Sequence, residues 1–199
     1  MNATTPQVAR PDDISNSWRR WLVLAVMSVG TLIVFIDNTV VNTALPAIST
    51  DLGASITTLQ WIVDAYVLAL VGLLLLGGSL GDRYGRRLWM IIGLLVFSGG
   101  AVVSGLAETS NQLIAGRAIM GVGAAFILPA TLSIITNTFG RAERTKAIAV
   151  WTAVGALGVG LGPVFGGYIV DNYSWNAVFW LHLPVLSLIH ISEPTRPTT

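Results

Sequence analysis

Cysteine is absent from the 199 residues, which excludes a disulfide framework and any thiolate metal site. Charge is nearly as scarce. Asp, Glu, Lys and Arg make up 11% of the chain against 53% apolar residues, and the mean hydropathy is +0.71. Too little polar surface is left to coat a water-soluble globule of this length. No nucleophile–base pair, metal-ligand cluster or phosphate-cradling glycine loop is visible, which argues against an enzyme, a resident metal or a cofactor. The net charge of +1 is segregated along the chain and not gathered into a basic patch, so a nucleic-acid partner has no footing. The first residues carry Pro6, Pro11, Asp12 and Asp13 and lack the apolar centre and small-residue cleavage site of a signal peptide. The first apolar segment is therefore expected to act as its own insertion signal.

What is present is long apolar segments with basic residues on alternate connections. Of the eleven basic residues, Arg10, Arg19 and Arg20 precede the first segment. Arg83, Arg86 and Arg87 fall between the second and third, and Arg141, Arg144 and Lys146 between the fourth and fifth. The other connections, Ser49 to Ser55, Glu108 to Asn111 and Asp171 to Ser174, hold only acidic or neutral polar groups. Positive charge is retained on the cytoplasmic side during insertion, so the pattern predicts a multi-pass protein of the cell membrane with its N-terminus inside. A span needs about 20 residues to cross a roughly 30 Å hydrocarbon core. On that measure helices are expected at about 21–46, 57–80, 87–107, 111–139, 147–170 and from 175 onward. Trp18, Trp21, Trp61, Trp89 and Trp175 fall near the expected ends, where tryptophan anchors to the interface.

The organisation expected is a cytoplasmic tail over 1–20, a six-helix membrane domain over 21–185, and a foreign tail over 186–199. The run from Leu186 to Arg196 resembles, residue for residue, the translation of a widely used sequencing adaptor, so it is set aside as a scar. The alternative is an authentic polar tail after a shortened sixth helix. His190 is given no role.

Three ionisable residues lie inside apolar runs: Asp37, Asp64 and Arg117. By helical rise, Asp37 sits roughly 6 Å below the outer face, and Asp64 and Arg117 about 7 and 9 Å below it. At a common depth they are expected to turn inward and find one another, because an unpaired charge in hydrocarbon costs several kcal/mol. One carboxylate is then surplus, and a surplus carboxylate in a partly wet crevice is able to load and release a proton. For Asp64 a helix-end or snorkelling role competes on even terms. Asn38 and Asn42, one turn apart, share a face and are read as cavity lining beside Asp37.

The stretch Gly78-Ser79-Leu80-Gly81-Asp82-Arg83-Tyr84-Gly85-Arg86-Arg87 resembles the inner-loop signature of the major facilitator superfamily. In it Gly81 and Gly85 are expected to reverse the chain, and the arginines to hold the turn at the anionic leaflet. Asp37 through Pro46 resembles the first-helix signature of the fourteen-helix drug/proton antiporter family within that superfamily. Leu113 through Gly123, with Arg117 and Gly121, resembles its fourth-helix signature, and Gly155, Gly158, Gly162, Pro163, Gly166 and Gly167 resemble its fifth-helix glycine-proline signature. Independently of any family, Gly158, Gly162 and Gly166 at four-residue intervals form a groove for a neighbouring backbone, and Pro163 is expected to bend the axis. Pro129 is a weaker mark of the same kind.

The resemblance implies an all-α integral membrane fold, the six-helix N-terminal half of a transporter built as an inverted three-plus-three repeat. It implies a cavity shared with a C-terminal half that is missing here, lined by the first, second, fourth and fifth helices, with the third and sixth facing lipid or in support. It implies Arg117 in proton coupling and the residues from Gly78 to Arg87 as an inner gate. The partners implied are membrane lipid, protons and a small-molecule substrate, in a proton-coupled antiporter exporting lipophilic or cationic drugs. A nutrient transporter of the same fold and a non-transporting membrane module are the alternatives. One departure stands out: the family has an asparagine before the proline of the sixth helix, where this chain has His182 before Leu183-Pro184. His182 is expected on a lipid-facing or packing side. Because the chain is free of cysteine, orientation is open to thiol labelling. Ser55→Cys is expected to react with an impermeant maleimide from outside intact cells, and Thr145→Cys only after permeabilisation.

Overall fold

The computed structural model describes residues 11–182, with side chains from Trp18 onward. Residues 1–10 and the segment 186–199 set aside above lie outside the described residues. Helices run in the order α1 (Pro11–Leu52), α2 (Ile56–Tyr84), α3 (Arg86–Gly105), α4 (Ser110–Thr138), α5 (Arg141–Asn172) and α6 (Ala177–Trp180). The first five are long and apolar enough to cross a membrane, and α6 is the described start of the sixth.

Helices α1, α2 and α5 outrun the spans expected from hydropathy, because polar flanks stay helical once their end groups are satisfied, whereas α3 and α4 keep close to theirs. Pro46 was expected to close α1, yet the helix carries on to Leu52. A proline removes one donor only, and this one lies on an exposed side of the helix. The helix stops at Gly53, at φ 59°, where Ala54 N donates to Ser49 O at 3.2 Å. Ser55 then caps α2 by accepting from Thr58 N at 3.2 Å. The reversal expected over Gly81 to Gly85 shrinks to a single residue. Gly81 is inside α2, and Gly85 alone, at φ 106°, separates α2 from α3. Thr109 and Gln112 form a reciprocal capping box at the start of α4, a pairing that satisfies two of the orphaned first-turn donors.

The most extensive helix interfaces join α4 to α3, α4 to α2, and α1 to α5. Exchanging the first three helices for the last three maps the α1–α5 pair onto α4–α2, as an inverted repeat requires. The most apolar stretch of α4 is 56% buried, against 11% for α2 and 17% for α5. Thus α4 is the interior post, and α2 and α5 present broad apolar outer surfaces.

Backbone proximity at α4 depends on small residues. A Cβ at Gly123 would lie 2.7 Å from Gly93 O and 2.8 Å from Phe97 Cα, both backbone atoms that cannot turn aside. Van der Waals packing of this kind is a main source of helix association where lipid already solvates apolar side chains. Gly123→Ala is expected to destabilise the purified protein by about 1–3 kcal/mol despite the better helix propensity of alanine. Gly99→Ala, where nothing lies within 4 Å, is expected to be neutral or mildly stabilising; thermal unfolding in detergent separates the two.

Candidate functional site

Glycines flank the residue on which the site turns. A Cβ at Gly116 would lie 2.9 Å from Ser104 N of α3, and one at Gly121 2.9 Å from Ala69 Cβ of α2. With α2 and α3 drawn this close to α4, the Arg117 side chain has no route to water and must find its partners inside. Arg117 is 1% exposed and Asp37 0%. Arg117 Nη1 donates to Asp37 Oδ2 at 2.6 Å, joining α4 to α1. Its Nε donates to Ile62 O of α2 at 3.4 Å. The guanidinium lies over the Tyr66 ring, 4.2 Å from its centroid, a cation–π geometry that gains strength when desolvated. Tyr66 in turn donates its hydroxyl to Val34 O at 3.3 Å.

Two of the three intramembrane charges therefore meet as expected, and the third does not. Asp64 is exposed, two residues from Ile62 and two from Tyr66. That spacing is about 200° around a helix, so Asp64 stands on the far side of α2. Asn38 is half-buried and Asn42 exposed, and Asn42 Nδ2 donates to Asn38 O at 2.8 Å without reaching the ion pair.

Of the two sides expected for His182, the structure shows the packing one: the side chain is buried, and its Nε2 lies 3.6 Å from Asp37 Oδ1. The Phe97 ring of α3 meets the imidazole edge-on at 5.8 Å between centroids. Helices α1, α2, α3, α4 and α6 thus converge on one buried polar point. Tyr66 was missed in the sequence, and His182 was noted there but given no part in the site, although it carried the same signal as Asp37, an ionisable group inside an apolar run.

Where α2 gives way to α3, Asp82 Oδ1 accepts from Arg86 Nη2 at 2.9 Å, and Arg86 Nη1 donates to Ser133 O of α4 at 3.2 Å. Gly78 and Gly81 share a cavity of about 110 Å³ with Asp82, Arg86, Pro129 and Ser133. Arg83 lies over the Tyr84 ring at 5.4 Å, and Arg87 is the second residue of α3. Nearby, Arg20 Nη1 bridges to Glu143 Oε2 at 3.0 Å, tying α1 to the first turn of α5.

The glycine row of α5 faces α1. A Cβ at Gly155 would lie 3.2 Å from the Phe35 ring, one at Gly158 3.0 Å from Leu32 O, and one at Gly166 3.1 Å from Thr43 Cβ. A Cβ at Gly162 would collide with the Thr39 hydroxyl. Gly167 has nothing within 4 Å and Pro163 is exposed, so neither belongs to this contact.

A family model of the Major Facilitator Superfamily matches residues 27–192. The chain belongs to the major facilitator superfamily. The multidrug efflux pump LfrA of Mycolicibacterium smegmatis is 41% identical over 185 residues, covering 92% of this chain and 37% of that protein. The puromycin resistance protein pur8 of Streptomyces alboniger is 40% identical over 171 residues, covering 85% and 34%. The methyl viologen resistance protein SmvA of Salmonella typhimurium is 37% identical over 173 residues, covering 86% and 35%. The chain spans about a third of the length of these curated relatives. The fold matches that of the proton:xylose symporter XylE with a TM-score of 0.76 at 18% identity, over 88% of this chain and 45% of that one. A major facilitator fold accounts for the five membrane-long helices and for their pairing.

Removing one partner of a buried ion pair leaves an uncompensated charge, which costs about 3–5 kcal/mol. Arg117→Gln is therefore expected to destabilise the protein by about that amount, and the double substitution Asp37→Asn with Arg117→Gln to recover most of the loss. A double-mutant cycle on thermal unfolding reads the coupling directly.

Proposed function

We propose that the intact protein is a proton-coupled antiporter that exports lipophilic or cationic drugs and related small molecules across the cytoplasmic membrane, with its N-terminus inside. The observation that carries this reading is the Asp37–Arg117 pair, fully buried between α1 and α4. A carboxylate held in this way has two states that differ by one proton and by the strength of its hold on α4. Proton binding at Asp37 weakens the attraction to Arg117 and biases one packing of α1 against α4 over another, which is the differential interaction that a coupled transition needs. The resistance and efflux proteins it resembles support the direction and the substrate class. The remaining length of those relatives, about two-thirds, leaves room for the C-terminal half with which the substrate cavity would be completed.

The other singled-out residues take supporting parts in this scheme. Asn38 and Asn42, off to one side of the ion pair, offer amides to substrate. Asp64, on the outer face of α2, draws cations toward the contact with the absent half. Asp82, Arg83, Arg86 and Arg87, with Gly78, Gly81 and Gly85, form the inner gate, and the glycine row of α5 gives α1 a smooth track along which to tilt.

Proteoliposomes carrying the full-length gene product and loaded with ethidium test the scheme. Wild-type protein is expected to drive ethidium movement when a pH gradient is imposed, and Asp37→Asn to lose that response. Coupled efflux unchanged in Asp37→Asn removes Asp37 from the coupling role. Uptake that follows the proton gradient would favour the nutrient-transporter alternative.

A further inference from the structure

The ion pair uses one oxygen of Asp37 and leaves the other facing a histidine. Asp37 Oδ2 is held by Arg117 at 2.6 Å, whereas Asp37 Oδ1 and His182 Nε2, 3.6 Å apart, are both buried and have no hydrogen-bond partner among the described residues. On the opposite side of the ring, His182 Nδ1 lies 3.2 Å from Phe179 O. These two contacts constrain the proton count of the imidazole. A neutral ring has one N–H and one lone pair. If Nδ1 carries the hydrogen it donates to the Phe179 carbonyl, and the Nε2 lone pair then points at a carboxylate oxygen. If Nε2 carries it, the lone pair on Nδ1 points at a carbonyl oxygen. Either tautomer leaves two acceptors face to face in a place closed to water, at a cost of about 1–3 kcal/mol for the unsatisfied group.

One added proton resolves the conflict. With Nδ1–H donating to Phe179 O, a proton between Nε2 and Oδ1 makes an N–H···O or an N···H–O bond, and every polar atom of the pair is satisfied. A closure of a few tenths of an ångström brings the two atoms into bonding range. We propose that His182 and Asp37 together hold the coupled proton, with His182 Nε2 and Asp37 Oδ1 as its two seats and Arg117 clamping the remaining oxygen. This rests on the proton-coupled reading above and adds the residue that shares the proton with Asp37.

The surroundings leave few other candidates. Among the described residues, the titratable groups that act on the imidazole are Asp37 of α1 and Arg117 of α4, and Tyr66 of α2 acts on the same two charges. From α3 the ring meets Phe97, and the titratable side chains of α3 are Arg86 and Arg87 at its inner end. Those of α5 run from Arg141 to Lys146 at one end and comprise the exposed Tyr168 and Asp171 at the other. Tyr66 is committed to the Val34 carbonyl as a donor, and Arg117 remains charged throughout. Without the added proton the Asp37–Arg117–His182 cluster has zero net charge; with it, the cluster carries one positive charge. A cationic substrate and the proton are then alternative positive charges in one low-dielectric region, and they repel each other there. Because the two seats share one proton, its titration belongs to the pair and not to either residue.

The pH profile of ethidium efflux by the full-length protein in proteoliposomes tests the assignment. If wild-type efflux ignores an imposed pH gradient, the proton-coupled reading falls, and the sharing of its proton with it. If wild-type efflux responds, His182→Gln is expected to move the pH profile by about one unit or more. In infrared spectra of the same protein in nanodiscs, the carboxyl band raised by acidification is expected to shift in His182→Gln and to vanish in Asp37→Asn. A profile and a band both unchanged in His182→Gln, with only the amount of folded protein lowered, would show that the ring merely packs, and would overturn the proposal. Should the glutamine variant not accumulate, histidine labelled with 15N in the ring takes its place. An isotope shift in the acid-induced spectrum that is lost in Asp37→Asn supports the shared proton, and one that persists in Asp37→Asn overturns it.

Discussion

A guanidinium and a carboxylate buried together where no water reaches them set the terms for the rest of this structure. Desolvating two charges is costly, and their attraction offsets the cost only when geometry is good and the remaining donors are used. Here Arg117 spends its Nη1 on Asp37, its Nε on the Ile62 carbonyl and its face on Tyr66, which requires α1, α2 and α4 to approach closely at one level. The glycines beside it on α4 meet that requirement. Gly116 and Gly121 stand where any side chain would push α3 or α2 away, and a longer gap would strand the charge. Small residues and the ion pair are thus two halves of one constraint.

Much of this was legible in the sequence, because a membrane punishes two kinds of error severely. Ionisable groups inside apolar runs are rare enough to be conspicuous, which singled out Asp37 and Arg117. Backbone groups cannot go unpaired in hydrocarbon, which fixed the all-helical fold and the approximate spans. The glycine row of α5 announced a close neighbour, and α1 is that neighbour.

What escaped the sequence has equally physical reasons. Hydropathy and rise give the height of a residue in the bilayer but not its direction around the helix. Asp64 shares the depth of Asp37 and Arg117, yet points away from them because two residues of offset from Ile62 turn it to the opposite side. The helix ends were misplaced where apolar residues give out before hydrogen bonding does, as at Pro46 and across Gly81. His182 was passed over because its segment looked peripheral; only the packing of α6 against α3 and α1 reveals that the side chain turns inward.

The single-residue link at Gly85 has a mechanical consequence. With no slack between them, α2 and α3 form a stiff hairpin, and both lie along α4 through extensive interfaces. The other extensive interface binds α1 to α5. The five long helices therefore form two slabs, one of three helices and one of two, meeting along a thinner seam. The Asp37–Arg117 bond crosses that seam as a clasp, and His182, arriving on α6, rests against it from the side. Loosening a single buttoned point would free one slab against the other while leaving the interior of each intact.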